Sequence, residues 1–213
     1  MPATGAGRYG AAMLRAGLTG GIACGKSLVS GFFREMGAAV VDDDLAARDA
    51  VQPGSEALVA VVAEFGREIL LPDGSLDRPR LGRIVFADDE KRRRLMSITF
   101  PAIGRLLLER FAEAEASGAR VLFYESALLV ENGQADAWRP LVVVTTTPEL
   151  QLRRLRERNG YGEREALDRV RSQMQLGEKA RLADFLIENV GPPEETRARC
   201  EEVWEALLRR PAA

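Results

Sequence analysis

The 213-residue chain has no histidine, so no catalytic step and no packing contact in it can use an imidazole. Lysine is nearly as scarce, with Lys26, Lys91 and Lys179 set against twenty-seven arginines. In a chain that turns to arginine wherever a cation will do, a lysine set among glycines, as Lys26 is, has a chemical reason to be there. Two cysteines, Cys24 and Cys200, are too few for a disulfide framework, and a reduced cytoplasmic setting is expected. No apolar run is long enough to span a membrane or sits behind a basic stretch as in a signal peptide, so no membrane partner is expected. Neither sign of charge dominates: 30 basic residues face 32 acidic ones, for a net charge of −2. That balance gives no general footprint for nucleic acid. Any polyanion must be met locally.

What is present is a large apolar fraction, 46%, enough for the core of one folding unit carrying insertions. Residues 1–12, rich in Ala and Gly, read as a disordered tail. Short apolar runs at 13–18, 38–41, 121–124, 141–144 and 185–187 lack polar alternation, the pattern of strands buried on both faces of a parallel sheet. Helical patterns at 27–36, 100–116, 148–158 and 194–210 lie between or after them, giving an α/β fold with right-handed crossovers. Residues 45–117 break this rhythm with about seventy residues of helical pattern around the turn "PDGSLDRP" and no strand able to join the sheet. They read as a helical insertion into a core of 13–44 and 118–213. Residues 153–173, dense in arginine around "RNGYG", read as a phosphate-facing lid.

Directly after the first strand comes "GLTGGIACGKS", residues 17–27. Gly20, Gly25, Lys26 and Ser27 fit G-x-x-x-x-G-K-[ST], in which backbone N–H groups curl around a pyrophosphate, the lysine reaches the outer phosphates and the serine hydroxyl ligates magnesium. Because the loop follows a strand and opens a helix, the bound anion meets a helix N-terminus. Gly21, Ala23, Cys24 and Leu28 complete the expected nucleotide loop. The fold class is therefore an α/β five-stranded parallel sheet of P-loop NTPase type.

Three further signals gather around that loop. "VVDDDLAAR" places Asp42, Asp43 and Asp44 at the carboxyl end of the second strand, where an open parallel sheet binds ligands. If the strand stays extended, Asp42 and Asp44 point one way and Asp43 the other; one of the three carboxylates can take a proton from a substrate hydroxyl, and another can cap the next helix. "VLFYE" ends in Glu125, an acidic strand end suited to magnesium's water shell. Arg153, Arg154, Arg156 and Arg158 can clamp migrating phosphate charge, with two of the four expected to do so. GTP switching is excluded, since there is no Asn-Lys dipeptide and no D-x-x-G after the third strand. A small-molecule kinase accounts for both insertion and lid, because such an enzyme closes over its substrates to exclude water.

With those residues in place, the chain from about residue 14 to 208 resembles the dephospho-CoA kinases. The resemblance lies in "GLTGGIACGKS", "VDDDLAAR", "FGREILLPDGSLDRPRLGRIVFAD", "ESALLVENG", "QLRRLRERNG", "RVRSQM" and "EKARLADFLIENVG", found in that order. It implies transfer from ATP, with Mg2+, to the ribose 3′-hydroxyl of dephospho-CoA, by a monomer or weak homo-oligomer. It further implies Asp44 as the activating carboxylate, and Lys26 and Arg158 in the transfer itself. Arg48 and Arg78 would meet the substrate, Arg154 would act as a lid arginine, and Asn189 and Gly191 would lie near the adenine of ATP. Ser27 and Glu125 would support the metal. A kinase for another nucleotide-like alcohol, or an ATP-binding regulator without transfer, are the competing readings. The chain departs from the family pattern at Ala23-Cys24, usually a small Gly-Ser pair, which leaves a thiol beside the phosphates. It departs again at Ala127, usually Pro, and at Phe100-Pro101, usually His-Pro.

Overall fold

The computed structural model describes residues 13–211; the tail expected at residues 1–12 lies outside them. In chain order the elements are β1 (Leu14–Gly20), α1 (Lys26–Glu35), β2 (Ala39–Asp42), α2 (Asp43–Asp49), α3 (Glu56–Phe65), α4 (Arg78–Phe86) and α5 (Asp89–Ala116). There follow β3 (Val121–Glu125), β4 (Leu141–Thr145), α6 (Pro148–Asn159), α7 (Glu163–Arg171), α8 (Leu176–Arg181), β5 (Phe185–Glu188) and α9 (Pro193–Leu208). They form two compact units, one made of the segments up to Val41 and from Ala114 onward, the other of Asp42–Glu113.

In the first unit the five strands make one sheet in the order β2-β3-β1-β4-β5, with β1 parallel to β3 and β4, and β4 parallel to β5. Every residue of β3 and of β4 is buried, as the unbroken apolar runs require of strands covered on both faces. Phe33 of α1 stacks on Phe123 of β3 with ring centroids 4.4 Å apart, and Trp204 of α9 lies 6.4 Å from the same Phe33 ring. A buried aromatic of this kind costs about 3–5 kcal/mol to truncate to alanine. From β1 the chain runs first toward the β2 edge and later to β4 and β5, so the strand order reverses at β1. The carboxyl end of β1 is thus a switch point where such sheets bind ligands.

The second unit is helical. Ser55 caps α3 by accepting the Leu58 N–H at 3.1 Å, and Asp77 caps α4 by accepting that of Arg80 at 2.9 Å, with Pro79 in the first turn. Between these helices the turn around Gly74 is closed by an antiparallel bridge, Leu70 to Leu76, and by Asp73, whose carboxylate accepts from both the N–H and the hydroxyl of Ser75. Val61, Ile69 and Leu81 form one buried cluster, and Ala50, Val51, Ala57, Leu58 and Ala102 another.

The helix expected from residue 100 begins instead at Asp89 and runs for 28 residues through Pro101. Asp88 starts it, accepting the N–H groups of Glu90 and Lys91. Pro101 removes one backbone bond, but Leu95 and Ile98 before it and Ala102, Ile103 and Leu106 after it pack into the two clusters. That burial carries the helix past the proline.

Candidate active site

The loop after β1 derives its shape from contacts a bare glycine pattern does not reveal. Gly25 caps α1 with φ 93°, a left-handed conformation that suits glycine, and a Cβ there would run into the Asn189 side-chain amide. Ala23 is also left-handed, with φ 59°. Asn189, buried at the end of β5, donates its amide N–H to the Cys24 carbonyl at 2.9 Å, and its amide oxygen accepts the Thr196 hydroxyl at 3.1 Å. Its own carbonyl accepts from Thr146 at 2.8 Å and from the Arg154 guanidinium at 3.2 Å. The Ile22 peptide is held on both sides: Gln151 donates to its carbonyl and Gln173 accepts from its N–H, each at 2.7 Å.

These braces present a cavity of about 490 Å3 lined by Gly21, Ala23, Gly25, Lys26 and Ser27 from the loop and by Arg154, Glu157 and Arg158 from α6. No acidic residue occupies the first turn of α1, and the first N–H groups of a helix have no intrahelical partner. The positive end of the helix dipole therefore faces the same cavity as one ammonium and two guanidinium groups, a setting for an anion of several charges. Of the four clustered arginines, Arg154 and Arg158 line the cavity. Arg153 instead lies 3.9 Å from Glu157, and Arg156 is exposed.

Several expected residues stand elsewhere. Cys24 does not put a thiol beside the phosphates: its side chain is wholly buried in the main core, and burial pushes the thiol up to about 11. What Cys24 offers the loop is backbone. The Leu28 N–H is turned back to the Gly25 carbonyl at 3.0 Å. Asn189 and Gly191 lie between β5 and α9 and do not line the cavity.

The extended conformation does not persist past Asp42. The chain turns helical at Asp43, and Asp42 is the N-cap of α2, accepting the Leu45 N–H at 2.9 Å. Asp43 and Asp44 occupy the first helical turn, about 100° apart around its axis, so the expected shared face of Asp42 and Asp44 is replaced by helical geometry. The cause is local: a carboxylate that can satisfy an orphan N–H begins a helix. Asp44 is exposed. Still within the helical unit, Arg78 donates to the Arg48 carbonyl at 3.1 Å and borders a cavity of about 250 Å3 with Ala47, Leu76, Leu81 and Ile103. Burial, and then the neighbouring Arg48 charge, hold the Arg78 guanidinium below its usual range. Two such cations side by side favour an anionic guest. Phe100, at the position of the family's usual histidine, is 56% exposed and serves no core.

Glu125, 3% exposed, ends β3 opposite Leu18 of β1. Among the described residues no three His, Cys, Asp or Glu side chains gather as a metal cage. The oxygens on offer, the exposed Ser27 hydroxyl and the Glu125 carboxylate, suit a hard cation that keeps waters and phosphate oxygens in its shell, as magnesium does.

The glutamines at 151 and 173, and the buried Lys179 bonded to the Ala127 carbonyl and to Glu131, each at 2.8 Å, were not legible as part of the site. Each is a lone polar residue in sequence. Only the scarcity of lysine distinguished one of them.

The family model described as dephospho-CoA kinase matches residues 14–195. A curated dephospho-CoA kinase from Geobacter metallireducens is 48% identical over 93% of this chain and 98% of its own length. Among solved structures, TT1252 from Thermus thermophilus superposes with a TM-score of 0.78 at 32% identity, covering 93% of this chain and all of the other. Dephospho-CoA kinase from Campylobacter jejuni does so with a TM-score of 0.64 at 27% identity, covering 91% and 96%.

Proposed function

The chain belongs to the dephospho-CoA kinase family, phosphotransferases of the final step of coenzyme A biosynthesis, and from that membership we propose how its own residues divide the work. ATP lays its phosphates on the loop from Gly20 to Ser27, where Lys26 neutralises charge on the bridging and outer oxygens. Arg158 and Arg154, on a lid of residues 153–173, meet the charge that spreads over the moving phosphoryl group. Asp44 accepts the proton leaving the ribose 3′-hydroxyl of dephospho-CoA, which the insertion 45–117 holds through Arg48 and Arg78. With no histidine in the chain, a carboxylate is the natural base. The products are coenzyme A and ADP.

Ser27 and, through water, Glu125 would hold magnesium, which would supply positive charge to offset that of the phosphates. Adenine lies toward the segment of Asn189 and Gly191; since the Asn189 side chain holds the loop and Thr196, the backbone there makes the approach. We place the reaction in the cytoplasm, carried out by a monomer or weak homo-oligomer, a setting in keeping with two free, buried cysteines.

The observation that carries this reading is the convergence of the glycine loop, the α1 N-terminus, Lys26 and two α6 arginines on one cavity. The test is a coupled ATP assay offering dephospho-CoA beside adenosine, AMP and pantetheine as acceptors. Preferred consumption of dephospho-CoA with phosphate appearing at the 3′ position supports the assignment. Preference for another alcohol, or no transfer to any, overturns it.

A further inference from the structure

We propose that Gln151 and Gln173 are positioning residues for ATP binding: one as donor and the other as acceptor, they clamp the Ile22 peptide and hold the curl of the phosphate loop. Gln151 gives its Nε2 hydrogen to the Ile22 carbonyl at 2.7 Å, while Oε1 of Gln173 accepts the Ile22 N–H at the same distance. The two roles cannot be exchanged, because a peptide N–H only donates and a carbonyl only accepts. Ile22 immediately precedes Ala23, whose left-handed φ of 59° is a conformation that surrounding structure must enforce in a non-glycine residue. With its N–H occupied, Ile22 shapes the loop rather than serving as a phosphate donor.

Both glutamines are themselves fixed. Gln151 lies in the first turns of α6, 3% exposed, and so close to the loop that a Cβ on Gly21 would sit 2.8 Å from its Nε2. Gln173 follows α7. The next residue, Met174, donates its N–H to Glu131 at 3.1 Å, and the same carboxylate oxygen pairs with the wholly buried Lys179 at 2.8 Å. Lys179 is in turn held by the Ala127 carbonyl. The two glutamines therefore bracket the arginine-dense segment, and both of its ends are tied to one peptide of the phosphate loop.

This inference rests on the reading of Gly20 to Ser27 as the ATP loop, and its test separates the two. Steady-state kinetics would be measured with ATP and with dephospho-CoA varied in turn, for Gln151→Met, Gln173→Met, Gln151→Glu, Gln173→Glu and Lys26→Ala, each checked for folding by thermal melting. Either methionine variant takes its partner from one group of the half-buried Ile22 peptide and should raise the ATP KM about tenfold, with the dephospho-CoA KM near the parent value.

The glutamates add the same charge at both positions but split by polarity. Gln173→Glu keeps the acceptor and should outperform Gln173→Met. Gln151→Glu sets a carboxylate against a carbonyl and should be worse than Gln151→Met, improving as pH falls because a protonated acid can donate again. If Gln151→Glu does not fold, the Gln173 pair decides. Methionine variants with parental ATP KM beside a defective Lys26→Ala overturn the clamp, as does a Gln173→Glu no better than Gln173→Met. A parental Lys26→Ala overturns the loop assignment, and the clamp's purpose with it.

Discussion

Lys26 opens α1 and lines the phosphate cavity, where alanine would suit the helix but leave the outer phosphates without their ammonium. Lys26→Ala is expected to keep its far-ultraviolet circular dichroism and lose about 10²- to 10³-fold in turnover, the cost of removing one positioned electrostatic donor. It should also lose the rise in melting temperature that MgATP gives the parent. Turnover near the parent's at saturating ATP would defeat the assignment.

The three aspartates at the end of β2 make a second test at this scale. Asp42 accepts the Leu45 N–H, a task asparagine performs about as well, so Asp42→Asn should be nearly silent. Asp44→Asn is expected to cost about 10²- to 10⁴-fold in turnover, the range for a positioned general base, with ATP affinity little changed. Asp43→Asn should be mild. Measured side by side, a ranking with Asp43 most damaging and Asp44 least would move the base to the other first-turn position of α2.

At the scale of elements, α6 brings arginine to the cavity by its period alone. Arg154 and Arg158 are four residues apart and share a face, while Arg153 turns toward Glu157. Arg154 is also bonded to the Asn189 carbonyl, whereas among the described residues Arg158 donates locally, to Asn159 at 3.0 Å, and keeps the greater reach. Arg158→Ala should lower turnover more than ATP affinity, because a cation that meets charge mainly in the transition state contributes little to ground-state binding. Arg158→Lys should restore only part, since an ammonium lacks the planar fork. Three proteins of equal activity would make this face of α6 a solvated surface.

Across the molecule, acid should loosen one seam of the sheet first. Asp184, just before β5, accepts the Leu141 N–H of β4 at 2.7 Å and the Arg139 guanidinium at 2.9 Å. Burial would raise its carboxyl, but these partners outweigh it and hold the group below its ordinary value. A carboxyl depressed in the folded state adds stability above the unfolded pKa of about 3.9, and that contribution is lost as pH falls through the folded value. Asp184→Asn should therefore melt below the parent at neutral pH by about 2–4 °C, what roughly 1 kcal/mol gives a chain of this size. The gap should close toward acid pH. A gap that persists there would assign the loss to packing instead of charge.

The sequence by itself determined the α/β class, the five strands nearly to the residue, the phosphate loop and the family, because each rests on local pattern: unbroken apolar runs, glycine spacing and ordered motifs. It misjudged the start of α5, where burial of apolar residues on both sides of Pro101 overrides the proline. It misread the end of β2, where a capping bond begins a helix at Asp43, two residues earlier than an extended run through Asp44 would allow. Only the tertiary structure decided that the Cys24 thiol points into the core, that Asn189 braces the loop, and that Gln151, Gln173 and Lys179 belong to its support. The three contacts that hold the loop itself, Asn189 to Cys24, Gln151 to Ile22 and Gln173 to Ile22, each join residues more than a hundred positions apart. A hydrogen bond has no sequence period, so a polar residue that closes one across the fold looks like any other until the chain is packed.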